Sequence, residues 1–165
     1  MEKPYIAAVN GAAVGAGMDM ASMCDMRFAA AGARFGMTYV RMGIIPGDGG
    51  AYFLPRIIGM AKALDIIWSG SLFDAAEALA MGYVSAVVPD DDLMAYAQEY
   101  AAKLAKGPAV AIQQAKRLAY RSQELSLDAA LDLAQQAMII CQGTEDAREG
   151  PRAFAEKREP QFKGR

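Results

Sequence analysis

Histidine is absent from these 165 residues. That excludes serine–histidine and cysteine–histidine nucleophile pairs, histidine bases and histidine metal sites, and leaves proton transfer to carboxylates, tyrosines, lysines or water. Cysteine is scarce. Cys24 and Cys141 stand far apart without metal-ligand spacing, so they read as core thiols in a reducing cytoplasm and not as a disulfide scaffold. No apolar run approaches the roughly 18 residues that a membrane helix needs. The opening Met1-Glu2-Lys3-Pro4 lacks a basic stretch followed by an apolar one, so a soluble, unsecreted protein is expected. Net charge is also small, −2 from 17 basic and 19 acidic residues, which gives no general electrostatic reason to bind nucleic acid or an anionic membrane.

What is present is a chain with an apolar fraction of 54%, enough for one domain with one sizeable core. Tyr5 to Asn10 reads as a buried strand closed by the Asn10-Gly11 turn. Gly11 to Gly17 reads as a small-residue loop, with a helix starting near Ala16. Asp25 to Ala30 and Ala33 to Gly36 are expected strands, so strand, helix, strand implies parallel pairing. A second glycine loop, Gly43 to Gly50, feeds a helix over Ala51 to Ile58 that stops at Gly59. Ala61 to Trp68 and Ala75 to Met81 read as helices, the latter with Asp74 as N-cap, and Val84 to Val88 as a strand. From Asp90 onward the pattern is helical throughout: Asp91 to Lys106, Pro108 to Arg121, Ser126 to Gln142 and Glu145 to Lys157. The expected organisation is an α/β core over residues 1–89 and a helical region over 90–165, packed as one domain.

The spacing carries a limited set of chemical options. A loop of Gly15, Ala16 and Gly17 opening a helix leaves backbone N–H groups without intrahelical partners at the positive end of the helix dipole, where a developing oxyanion is stabilised. Tight packing at a strand-to-helix junction explains the same small residues. Asp19, about one turn into that helix, is either a proton-transfer group or a helix cap. Asp48, at the mouth of the second glycine loop, has the same two readings. Met18, Met20, Met23, Met26, Met37 and Met42 either line an adaptable apolar pocket or fill the core. The basic residues Arg148, Arg152, Lys157, Arg158, Lys163 and Arg165 lie among Glu145, Asp146, Glu149, Glu156 and Glu159, the composition of a solvated helix face.

Lys3 to Gly11, Gly15-Ala16-Gly17, Cys24-Asp25, Phe35-Gly36, Gly43 to Gly47, Pro55 to Gly59, Ala76 to Val84 and Glu149 to Arg158 together resemble the crotonase family of enoyl-CoA hydratases and isomerases, in order and spacing, over essentially the whole chain. The resemblance implies a ββα spiral capped by C-terminal helices, a homotrimeric or hexameric assembly, and a CoA thioester handled through a stabilised enolate. Coenzyme A enters as part of the substrate, so no separate cofactor and no metal is implied. The family's other oxyanion donor and much of its CoA-binding loop precede the motif at Lys3-Pro4, so the chain is expected to represent the C-terminal portion of that domain.

Residue by residue, the resemblance places an oxyanion-hole amide at Ala16. It matches Asp19 and Tyr39 to the glutamate pair with which hydratases activate and protonate water. An aspartate at the first position is similar to dienoyl-CoA isomerases. Some isomerases and dehalogenases carry a catalytic aspartate at the position of Gly47, next to Asp48. Phe154 and Lys157 match positions that contact the nucleotide end of CoA. The implied catalytic set is Ala16, Asp19 and Asp48, with substrate contacts at Gly15, Gly17, Tyr39, Gly47, Phe154 and Lys157. The implied activity is hydration or isomerisation of a 2-enoyl-CoA; the alternative is an acyl-CoA-binding or assembly module with weak turnover.

Overall fold

A computed structural model describes residues 2–165. It divides into two compact units, one comprising Tyr5–Glu99 and the other Tyr100–Arg165 with residues 2–4.

The first unit is built from short strands because the sequence offers only short apolar runs between glycine turns. Strand β1 (Ile6–Val9) is followed after two residues by β2 (Ala12–Val14), then helix α1 (Ala16–Ser22). Strands β3 (Met26–Ala30) and β4 (Arg34–Gly36) come next, then a 3-10 turn over Thr38–Met42 and helices α2 (Gly50–Ile58) and α3 (Met60–Ser69). Strand β5 (Phe73–Asp74), helix α4 (Ala75–Ala80) and strand β6 (Ala86–Val88) complete it. β1, β3 and β6 form one parallel sheet, with Ile6 opposite Met26 and Phe28 opposite Ala86. β2 pairs parallel with β4, which pairs antiparallel with β5, in a second sheet. β1 and β2 go to different sheets, as do β3 and β4, and the chain passes through helix α1 between the two pairs. This is the ββα spiral that the resemblance implied.

Strand β2 lies inside a stretch whose small residues read as loop. Three residues are too few to show a period in sequence; the pairing of Ala13 with Phe35 on β4 makes them a strand. Between the sheets and helices sits a core centred on Phe35, Phe73 and Tyr83, whose ring centroids lie 5.4 to 6.3 Å apart. Met18, Met37, Leu54, Ile66 and Val84 pack around them. Full burial of each such side chain contributes about 1.5–3 kcal/mol. Asp74 caps α4 through a capping box, its carboxylate accepting from the Glu77 N–H while the Glu77 carboxylate accepts from the Asp74 N–H.

The second unit is helical, as the pattern from Asp90 onward implied. It holds the end of α5 (Leu93–Ala105), then α6 (Ala109–Ser122), α7 (Leu127–Gln142) and α8 (Asp146–Ala155). Ser126 is the N-cap of α7, accepting from the Ala129 N–H. The C-terminal tail folds back along α8: the buried Asp146 carboxylate accepts the N–H groups of Lys163 and Gly164, and Glu149 accepts that of Gln161. Arg158 grips Glu149 with two hydrogen bonds of 2.6 and 3.0 Å and also donates to Glu156. Arg152 pairs with Glu156, and Lys163 and Arg165 pair with Glu145. The basic residues thus belong largely to an exposed ion-pair network. No helix among the described residues is long and apolar enough to cross a membrane.

Candidate active site

Helix α1 starts at a residue that only glycine supplies without strain. Gly15 has φ +56° and ψ −122°, a mirror-image extended conformation disfavoured for residues with a Cβ. Its N–H is spent on the Gly36 carbonyl at 2.8 Å, and its carbonyl accepts from Met18 and Asp19. The amides of Ala16 and Gly17 come first in the helix and have no intrahelical acceptor. Both residues are exposed, so these N–H groups are available to an anionic or developing-anionic oxygen.

The helix is fixed from below. Ser22 Oγ donates to the Met18 carbonyl at 2.8 Å, and Tyr83 Oη lies 3.1 Å from that carbonyl and 3.0 Å from Ser22 Oγ. Burial pushes the Tyr83 hydroxyl up to about 12, so it remains a neutral hydrogen-bonding group. Arg27, buried under the Tyr83 ring, donates to the Tyr83 carbonyl at 2.6 Å and to the Cys24 carbonyl.

One residue beyond Met18, Asp19 is fully buried. The N-cap of α1 is Gly15 and no side chain caps it, so the cap reading of Asp19 is set aside. Tyr39 Oη donates to Asp19 Oδ2 at 2.7 Å. Asp19 Oδ1 is buried without a hydrogen-bond partner, an uncommon state for a carboxylate oxygen. Burial raises the Asp19 pKa, the Tyr39 hydrogen bond opposes the rise, and the charge of Asp48 adds to it. Tyr39 is itself held above the usual phenol range by burial and by the two carboxylates.

Asp48 is exposed, its Oδ2 3.5 Å from Tyr39 Oη. The N-cap of α2 is Gly49, with φ +106° and no side-chain cap, so Asp48 does not cap that helix. A phenol has one proton to give, and the distances assign it to Asp19. The Tyr39 ring also borders Gly15: a Cβ built there would lie 3.9 Å from Tyr39 Cζ. Ala16, Asp19, Tyr39 and Asp48 are therefore brought around one point at the α1 N-terminus. Gly47 is exposed in the loop just before Asp48.

Phe154 and Lys157 belong to the other unit. Phe154 is 87% exposed on α8. Lys157, with φ +54°, is the described non-glycine residue in a left-handed conformation. It terminates α8 in a Schellman-type turn in which Arg158 N–H reaches the Ala153 carbonyl. Of the methionines, Met18 and Met37 are core residues, while Met20 and Met42 are 68% and 78% exposed.

The sequence reading did not identify the Tyr39–Asp19 hydrogen bond or the place of Gly50. A Cβ on Gly50, the first residue of α2, would fall inside contact distance of Asp19 Oδ1. The repeated glycine at 49–50 was the available signal.

The sequence pattern of the enoyl-CoA hydratase/isomerase family matches residues 1–165. The chain belongs to that family. It is 43% identical to the 2,3-dehydroadipyl-CoA hydratase of Escherichia coli K12 over 99% of this chain and 64% of the relative. It is 41% identical to the short-chain-enoyl-CoA hydratase of Clostridium acetobutylicum over 100% of this chain and 64% of that protein. The crystal structure of an enoyl-CoA hydratase from Bacillus anthracis superposes with a TM-score of 0.96 at 39% identity, covering 99% of this chain and 64% of that one. The chain thus spans a little under two thirds of the length of these relatives.

Proposed function

We propose that this family member binds an acyl-CoA thioester at the α1 N-terminus and hydrates or isomerises a 2-enoyl-CoA. The observation that carries the reading is the pairing of exposed amides at Ala16 and Gly17 with a buried carboxyl one turn away. In this account the Ala16 N–H donates to the thioester oxygen as enolate charge develops, an interaction worth about 3–4 kcal/mol in the transition state. Asp19 moves a proton at the α or β carbon, Tyr39 holds its Oδ2, and Asp48 supplies a second carboxylate at the solvent side. Gly15, Gly17 and Gly47 keep the backbone open to the acyl group, and Phe154 and Lys157 serve the nucleotide end of CoA, where an ammonium suits phosphate. The hydratase names of the Escherichia coli and Clostridium relatives support hydration.

The order of its motifs leads us to read the chain as the C-terminal portion of the family's domain, acting in a cytoplasm that keeps Cys24 and Cys141 as thiols. Exposed Leu127, Leu131, Met138 and Ile139 on α7 support assembly as a homotrimer or hexamer. A second reading, an acyl-CoA-binding or assembly module with weak turnover, is favoured by Tyr39, a phenol at the position matching the second hydratase glutamate. Incubating the 165-residue protein with saturated and 2-enoyl acyl-CoAs and reading products by mass spectrometry separates the two. Addition of water or an isobaric product supports catalysis; an unchanged panel with measurable acyl-CoA binding supports the module.

A further inference from the structure

The Asp19 carboxyl is held by an absence. Its Oδ1 is buried with no hydrogen-bond partner among the described residues, so the Tyr39 bond to Oδ2 leaves the placement of Oδ1 unexplained. The glycine that opens α2 supplies the explanation. A Cβ on Gly50 would collide with Asp19 Oδ1, and it would also lie 2.8 Å from Met37 Cε and 3.0 Å from Pro46 Cβ. Met37, Pro46 and Gly50 are all buried. We propose that Gly50 is the positioning residue of the site: the space of its missing side chain is the space Asp19 Oδ1 occupies, and this seats Oδ2 against Tyr39.

The chemical consequence rests on the acyl-CoA reading; the placement rests on geometry alone. A methyl group at position 50 leaves the carboxyl only outward rotation, toward the solvent side where Asp48 lies. That costs the 2.7 Å bond from Tyr39 and restores solvation to a group whose surroundings now keep water from Oδ1. Asp19 then becomes an ordinary carboxylate, further from the α1 amides. Gly50 has no positive φ of its own, so alanine there is not excluded by backbone conformation. At the first position of a helix alanine is also the better helix former. A cost on substitution therefore reports the collision and not the backbone.

The test is a double-mutant cycle in the full chain, using Gly50→Ala, Asp19→Ala and the double variant, read by thermal unfolding. Contacts of the new methyl with Met37 and Pro46 are common to both backgrounds and cancel. Gly50→Ala is expected to lower Tm by several degrees beside Asp19 and to have a clearly smaller effect beside Ala at position 19. Recovery of folding in the double variant, if Gly50→Ala alone does not fold, supports the proposal equally. Equal shifts in both backgrounds, or equal failure to fold, overturn it. Where Gly50→Ala folds, the Asp19 carboxyl followed by carbon NMR should titrate lower than in the parent, and turnover should lose kcat with KM retained. A positive cycle with no turnover in the parent chain upholds the seat of Asp19 and overturns the catalytic reading; an absent coupling with intact turnover does the reverse.

Discussion

Tyr39 Oη and Asp19 Oδ2 are 2.7 Å apart, joining the 3-10 turn after β4 to the buried face of α1 across twenty residues of sequence. The bond holds Oδ2 of a carboxyl whose other oxygen, Oδ1, is buried without a hydrogen-bond partner among the described residues. Hydrogen bonds to charged groups contribute about 1.5–3 kcal/mol. Tyr39→Phe is expected to raise the Asp19 pKa, since the phenol opposes the effect of burial, and to cut turnover by roughly 10- to 100-fold. Carbon NMR titration with steady-state kinetics checks both; an Asp19 titration that falls or stays put would remove Tyr39 from this role.

Asp19 also sets a pH dependence of stability. Burial and the Asp48 charge hold its folded-state pKa above the ordinary 3.8, so the folded protein binds this proton more tightly than the unfolded chain. Its contribution is fully present below about pH 4 and is lost as pH rises through the folded value. Urea unfolding of the parent and of Asp19→Asn across this range should show a downward slope with pH in the parent that the variant lacks.

The C-terminal tail behaves with the opposite sign. Arg158 and the Gln161 N–H hold Glu149 down to about 2 from an ordinary 4.5. The tail contacts made through it are therefore complete above pH 4.5 and are lost as pH falls toward 2. The protection factor of the Gln161 amide, its exchange rate relative to the intrinsic rate at the same pH, should fall over that interval. Glu149→Ala should accelerate exchange at Gln161 at neutral pH without altering the Tyr5–Glu99 unit.

The oxyanion role of Ala16 is testable without touching a side chain that does chemistry. Proline is well tolerated at the first position of a helix and lacks the N–H, and Gly15 precedes it at ψ −122°, an extended value on glycine's mirror side that leaves room for the ring. Ala16→Pro is expected to lower kcat by about 100- to 1000-fold with little change in unfolding midpoint. Unchanged kcat in a folded variant would move the oxyanion elsewhere.

Much of this architecture was readable from residue order. The Tyr5 to Asn10 run, the glycine stop at Gly59 and the Asp74 cap lie in contiguous sequence, and each reports a local backbone preference that tertiary packing leaves intact. β2 was not readable, because its identity depends on a partner strand twenty-two residues away. The site divides the same way. Asp19 and the α1 amides share one helix turn, so their proximity follows from helical geometry. The contact of Asp19 with Tyr39 and Gly50 depends on how α2 and the 3-10 turn close over α1, which no spacing along the chain expresses. Asp48 had an equally good local reading as a cap, and Gly49, not Asp48, occupies that position.

The most direct test of the central claim is a mass-spectrometric comparison of the parent chain and Asp19→Asn on one panel of 2-enoyl-CoAs, with folding verified for both. The parent should convert at least one member to a hydrated or isobaric product, and the variant, which keeps the size of the side chain and loses the carboxylate, should leave the panel almost untouched. Equal conversion by both proteins would contradict the account.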